Sequence, residues 1–183
     1  MYLRFMCRGG SIRSPYKKHD DPLYHADAVE VFLDPKGDGR EWIKLEVSPN
    51  NVVFDQLDVL TTEPVYDPDG TLTSDVLACD WWTDLSWDLT GPRTAARRMQ
   101  RHGETSGWVI DLAVPADPLR RLGIKPFRPM RLRTNLLRYE TQPGVNGKSV
   151  FLPMNWAPVR FGCPHISPAA MGTLVLDPPT PRK

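Results

Sequence analysis

Leu23-Tyr-His-Ala-Asp-Ala-Val-Glu-Val-Phe-Leu-Asp-Pro-Lys-Gly-Asp-Gly-Arg-Glu-Trp-Ile-Lys-Leu-Glu-Val47 decides the fold. From Ala28 to Asp34 the residues are β-branched, aromatic or otherwise apolar apart from Glu30 and the closing Asp34, and they alternate. Val29, Val31 and Leu33 point one way, and Ala28, Glu30 and Phe32 the other. Asp34-Pro-Lys-Gly-Asp-Gly then supplies residues that fix φ or tolerate positive φ, so the chain reverses before Trp42. On the return strand Ile43, Leu45 and Val47 share a side, opposite Trp42, Lys44 and Glu46. An aromatic beside two charges is the pattern of a binding face.

Outward from this hairpin, Tyr2 to Met6 alternates as a first strand that Gly9-Gly10 ends. Pro49 to Asp55 reads as a turn and a third short strand. The segment to about Gly107, with Tyr66-Asp-Pro-Asp-Gly70 and Asp80-Trp-Trp-Thr-Asp84, reads as a long excursion over one rim. Trp81, Trp82 and Trp87 either line that rim or pack beneath it. Arg93 to His102 fits a short helix or a strand equally well, because Ala95, Ala96 and Met99 suit both. Gly107 to Val114 is a clear strand that places Trp108 in the core, and Asp117 to Gly123 fits one helical turn. Met130 to Tyr139, Ser149 to Met154 and Gly172 to Leu176 supply further strands, and the Pro-rich 177–183 is expected to be a disordered tail. Nineteen prolines and thirteen glycines spread along 183 residues suit many short strands joined by turns, so the class expected is all-β.

Composition narrows the partners. A net charge of +1 provides no general field for nucleic acid or an anionic membrane, and no apolar run reaches the length of a spanning helix. Three scattered cysteines, Cys7, Cys79 and Cys163, make neither a disulfide framework nor a CxxC metal pair. Met1 to Arg8 lacks a long apolar core and a small-residue cleavage site, and reads as a strand rather than a signal peptide. An extracellular or periplasmic location is expected if a longer start carries a signal, and a cytoplasmic one otherwise. Phosphate-loop, dinucleotide, Gly-x-Ser-x-Gly and zinc motifs do not occur in the sequence.

Four stretches stand in a recognisable order. They are the hairpin, Gly107-Trp-Val-Ile-Asp-Leu-Ala-Val-Pro115, Arg133-Thr-Asn-Leu-Leu-Arg-Tyr-Glu140, and the closing Asn155-Trp-Ala-Pro158 with Pro164-His-Ile-Ser-Pro-Ala-Ala-Met-Gly-Thr-Leu-Val-Leu176. Together, over 2–176, they resemble the family 9 carbohydrate-binding modules and the wider group that includes haem- and sugar-binding DOMON domains. The resemblance implies one jelly-roll-type antiparallel β-sandwich over 1–176, without the family's leading strands. It also implies non-catalytic binding of saccharides from plant-type polysaccharides, in the service of carbohydrate catabolism. In the family, two aromatics clamp a sugar and polar side chains beneath take its hydroxyls, because a sugar has an apolar C–H face and a hydroxyl rim.

The same resemblance implies the site. Tyr24, three residues before Asp27-Ala-Val-Glu30, takes the place of the first clamping aromatic, and His165, seven residues before Gly172, that of the second. Tyrosine and histidine depart from the family's two tryptophans. Glu46 matches the polar strand position after the turn, and Asn135 and Arg138 match those of the late strand, though the Arg138 fork also suits the nearby Glu140. Trp42 shares the face of Glu46, and Trp156 has either a structural or a sugar-binding role. Asp34, Asp38 and the pair Asp20-Asp21 offer oxygens of the kind calcium prefers, at spacings unlike an EF-hand; ordinary turn carboxylates are the competing reading. Two rival functions suit the same residues. One is a haem-binding electron carrier using Met130, Met154 or His165 as axial ligands; the other is an interaction domain with a decayed sugar site.

Overall fold

The hairpin forms as read. The computed structural model describes residues 1–9, 11–60, 68, 81–125, 128–144, 149–159 and 171–176, and in it strand β2 spans Ala28–Asp34 and β3 spans Glu41–Val47, antiparallel, with Val31 opposite Leu45 and Glu30 opposite Glu46. The turn between them is closed by Asp34. Its Oδ1 accepts the N–H groups of Lys36 (3.1 Å) and Gly37 (2.7 Å), and its Oδ2 accepts that of Gly39 (2.7 Å). Gly37 and Gly39 take φ of +73° and +72°, which the residue at each place can adopt without a Cβ clash.

The remaining elements are β1 Tyr2–Arg8, a short 3-10 turn Leu23–His25, β4 Val53–Leu60, β5 Trp81–Asp84, β6 Arg93–Arg101, β7 Glu104–Ala113, α1 Ala116–Arg121, β8 Met130–Pro143, β9 Ser149–Asn155 and β10 Gly172–Leu176. Among the described residues they make two antiparallel sheets. The smaller runs β1-β7-β6; the larger runs β10-β8-β2-β3-β4-β5, with β9 also on β8. The chain is an all-β sandwich, as the proline- and glycine-punctuated sequence implied.

Arg93 to Arg101, equally readable as helix or strand, is the strand β6. Its partner decides this: His102 and Gly103, at φ +53° and +83°, make a two-residue connection of the kind that fits strand twist, and β6 zips along β7. The helical turn is α1, beginning one residue earlier than Asp117.

The inner face of the large sheet carries Val29, Val31, Leu33, Ile43, Leu45 and Val47. They pack with Ile110, Leu112 and Trp108 of β7 and with Leu132 of β8, all nearly inaccessible to water. Each such side chain contributes roughly 1.5–3 kcal/mol by leaving water. Directly opposed residues of an antiparallel pair share a face. Glu30 therefore lies on the outer face with Glu46 and Leu137, and Glu46 with Phe54. The sequence pattern marks this outer face as a binding face, and most of it is closed to solvent. Leu23, Phe32, Trp42, Phe54, Leu137 and Tyr139 form a second apolar cluster on it, and Trp42 and Glu46 are both 0% exposed. The cause lies in the sequence between β1 and β2, which folds back so that Leu23 is fully buried and Tyr16 packs on the same cluster.

Candidate functional site

On this outer face the apolar residues surround a charged group of strand side chains. β3 projects Lys44 between two glutamates, and its Nζ lies 3.4 Å from Glu30 Oε1 and 3.2 Å from Glu46 Oε1. Tyr139 of β8 donates its hydroxyl to Glu30 Oε2 at 2.5 Å. One strand further, Asp58 Oδ1 accepts Gln56 Nε2 and Thr83 Oγ1, each at 2.7 Å. Burial works against the Lys44 ammonium, but Glu30, then Glu46 and Asp58, more than offset it, so its pKa stands above the usual lysine value.

Tyr24 covers this group. The 3-10 turn places its ring 5.3 Å from Lys44 Nζ, which lies at the same distance from the Phe54 ring; both are within cation–π range. Tyr24 meets Phe54 edge-on at 5.8 Å and keeps 36% of its surface exposed. Asp27 fixes the approach to β2: its Oδ2 accepts Arg13 N–H (2.8 Å) and its Oδ1 accepts Thr141 N–H (2.7 Å), joining the preceding loop to β8. Burial raises the Asp27 pKa and these two hydrogen bonds oppose the rise.

Of the residues singled out by sequence, Tyr24, Trp42, Glu46 and Asn135 come to one face. Trp42 is part of the apolar cluster there, not a surface for stacking. Asn135 grips a backbone: its Oδ1 accepts Ala157 N–H at 3.0 Å and its Nδ2 donates to Ala157 O at 3.3 Å. Arg138 does not join them. It lies opposite Val29, on the inner face of the sheet, and its Nη2 pairs with Glu140 at 2.9 Å. Trp156 is also elsewhere, 55% exposed with its ring on Gly172, where an added Cβ would come within 2.6 Å of a ring carbon. Gly172, two residues before Leu174 of the inner core cluster, shares its face, so this contact is on the face away from Lys44. His165 lies outside the described residues, and so do Cys79 and Cys163.

Lys44, Glu30 and Tyr139 were not named as site residues from sequence. The signal for two of them was present, since alternation puts Glu30, Lys44 and Glu46 on one face of the hairpin; Tyr139 needed the β2–β8 register. Met130 and Met154 do not converge. Met130 opens β8, where its sulfur accepts Lys125 N–H at 3.1 Å, whereas Met154 is partnered to Arg138 towards the other end. Three of the turn carboxylates accept backbone N–H groups, Asp34 within its own turn, Asp38 from Arg40, and Asp21 from Lys17 and Lys18, whereas Asp20 pairs with His19. A groove lined by Pro35, Lys36, Trp42, Leu57, Arg121 and Gly123 opens beside α1 and is not lined by Tyr24 or Lys44.

No family model matches the chain, and no curated protein matches it. A solved structure from Bacteroides uniformis ATCC 8492, described as a "putative carbohydrate-binding protein", superposes with a TM-score of 0.62. The match covers 95% of this chain and 72% of that one at 14% sequence identity, a likeness of fold. No described helix is long and apolar enough to cross a membrane.

Proposed function

We propose that this chain is a non-catalytic carbohydrate-binding module, with the exposed face of Tyr24 as one stacking wall for a saccharide and Lys44 beside it as the donor to a sugar hydroxyl. The observation that carries this reading is a partly exposed tyrosine standing directly over a buried charged group. Burying carboxylates and an ammonium is costly, and a sheet that needed only stability would place apolar residues there. The fold likeness to the Bacteroides uniformis protein supports the same direction. Glu30 and Glu46 hold the ammonium in position rather than touch the ligand. His165 is proposed as the second wall, and saccharides of plant-type polysaccharides as the ligand class, on the family 9 resemblance.

Glycosidase chemistry needs two carboxyl groups flanking a glycosidic bond. Glu30 and Glu46 instead point the same way from neighbouring strands, share one lysine and are both 0% exposed.

One observation favours a second reading. Glu30, Glu46 and Asp58 are all fully buried, as they would be in an interaction domain whose polar layer is purely structural. Calorimetry against a panel of cello-, xylo- and manno-oligosaccharides separates the two. Binding that falls at least tenfold in Tyr24→Ala, with the fold intact by circular dichroism, is the expected result. Wild-type protein that binds none of the panel, or Tyr24→Ala that binds as well as wild type, would sink the carbohydrate reading.

A further inference from the structure

We infer that His19, Asp55 and Asp88 form a binding site for a divalent first-row transition metal, with Asp20 orienting the histidine. The site lies where the loop before β2 crosses β4 and the segment between β5 and β6, and it is independent of the saccharide reading. His19, Asp20 and Asp88 each offer a ligand atom within 4.8 Å of the others. A surface cluster of that kind alone would be an ordinary set of solvated charges. The independent observation is Asp55. Its side chain is only 1% exposed, its Oδ2 accepts Leu89 N–H at 2.7 Å, and its Oδ1, fully buried, has no hydrogen-bond partner among the described residues. That oxygen points at the cluster, 3.7 Å from His19 Nε2.

The distances fit a shared ion better than hydrogen bonds. His19 Nε2 lies 3.7 Å from Asp55 Oδ1 and 3.9 Å from Asp88 Oδ1, both beyond hydrogen-bonding range. Donors bound at about 2.0–2.2 Å to one metal stand roughly 3–4 Å apart, so Asp55 Oδ1 and Asp88 Oδ1 each stand from Nε2 at the spacing of a fellow ligand. The other ring nitrogen, Nδ1, lies 2.9 Å from Asp20 Oδ2. A carboxylate holding Nδ1–H fixes the tautomer that presents Nε2 with its lone pair, the arrangement by which proteins aim metal-binding histidines. One imidazole with two carboxylates selects zinc or manganese over calcium, which takes oxygen donors only. Three protein donors leave the remaining positions to water. The bound ion would join three segments distant in sequence and so stabilise the folded state.

The test uses tag-free protein stripped with EDTA, titrated with Zn2+ by calorimetry at pH 7.5 and melted with and without Zn2+. One Zn2+ site is expected, with a rise in melting temperature. His19→Ala and Asp88→Asn, both at exposed side chains that can change without unfolding the protein, should weaken binding at least about tenfold and abolish the thermal shift. Asp20→Asn should weaken binding by about tenfold while leaving one site. Absence of Zn2+ and Mn2+ binding, or binding and thermal shift unchanged in both His19→Ala and Asp88→Asn, would overturn the inference.

Discussion

Glu30 and Glu46 stand directly opposite each other across the β2–β3 ladder and share one ammonium, Lys44 Nζ, at 3.4 and 3.2 Å. Like charges opposed across strands repel, and here both are buried, so the lysine between them is what makes the pair tolerable.

Lys44→Met is therefore expected to destabilise the protein by about 3–5 kcal/mol, the usual result of leaving buried charges without their counterion. Urea denaturation reads this directly as a fall in midpoint. The triple variant Lys44→Met/Glu30→Gln/Glu46→Gln should recover a good part of the loss. A single Lys44→Met costing under 1 kcal/mol would show that the three charges are not coupled. The pH dependence has a definite sign: because the folded pKa of Lys44 is raised, its contribution is complete below the usual lysine pKa and is lost as pH rises through the folded value.

Asp34→Ala should cost about 2 kcal/mol or more. The aspartate is fully buried and accepts three backbone N–H groups of the turn, that of Gly39 itself in a buried hydrogen bond, and alanine leaves them without an acceptor. Asp34→Asn keeps one acceptor oxygen and should recover part of the loss in the same denaturation experiment.

How far the sequence could be read follows from what each signal encodes. β2 was legible to its end residues because alternating β-branched residues and a Pro/Gly turn agree on one register. Arg93–Arg101 was not, since alanines and a methionine carry no strong preference and only pairing with β7 selects a strand. At the site, alternation correctly grouped Lys44, which lies beneath Tyr24, with Glu46 but could not say that the loop after β1 folds over them. Placing Asn135 and Arg138 together was an error of parity. They are an odd number of residues apart on one strand, so a continuous pleat must send them to opposite faces. Trp156 follows a strand end, where alternation no longer predicts direction.

Cys7 is expected to be inert in the folded protein. Burial raises its pKa to about 11, with Arg138 opposing and Asp27 and Glu140 adding to the rise. At pH 8 roughly a thousandth of it is thiolate, against about a quarter for a free cysteine. Peptide mapping after brief iodoacetamide treatment should find Cys7 unmodified in native protein and fully modified in urea. Its stability contribution is present below the ordinary thiol value and is lost as pH rises through about 11. Rapid native labelling of Cys7 would mean that β1 opens readily from β7.

Gly107→Ala tests that same seam from the other side. Gly107 sits in β7, where β1 and β6 flank it, opposite Arg8 and Met99. Its φ of +150° is one that side chains rarely adopt, and an added Cβ would lie 2.1 Å from Cys7 O and 2.6 Å from Met99 Cε. The methionine tip can move, but the Cys7 carbonyl belongs to the β1–β7 ladder and cannot yield without breaking it. Backbone strain and overpacking each cost about 1–3 kcal/mol, so a loss of about 3 kcal/mol or more is expected in urea denaturation. Because the clash is with β1, amide exchange should quicken along Tyr2–Arg8 more than along the β2–β3 hairpin. Equal quickening in both would mean that the two sheets open as one unit.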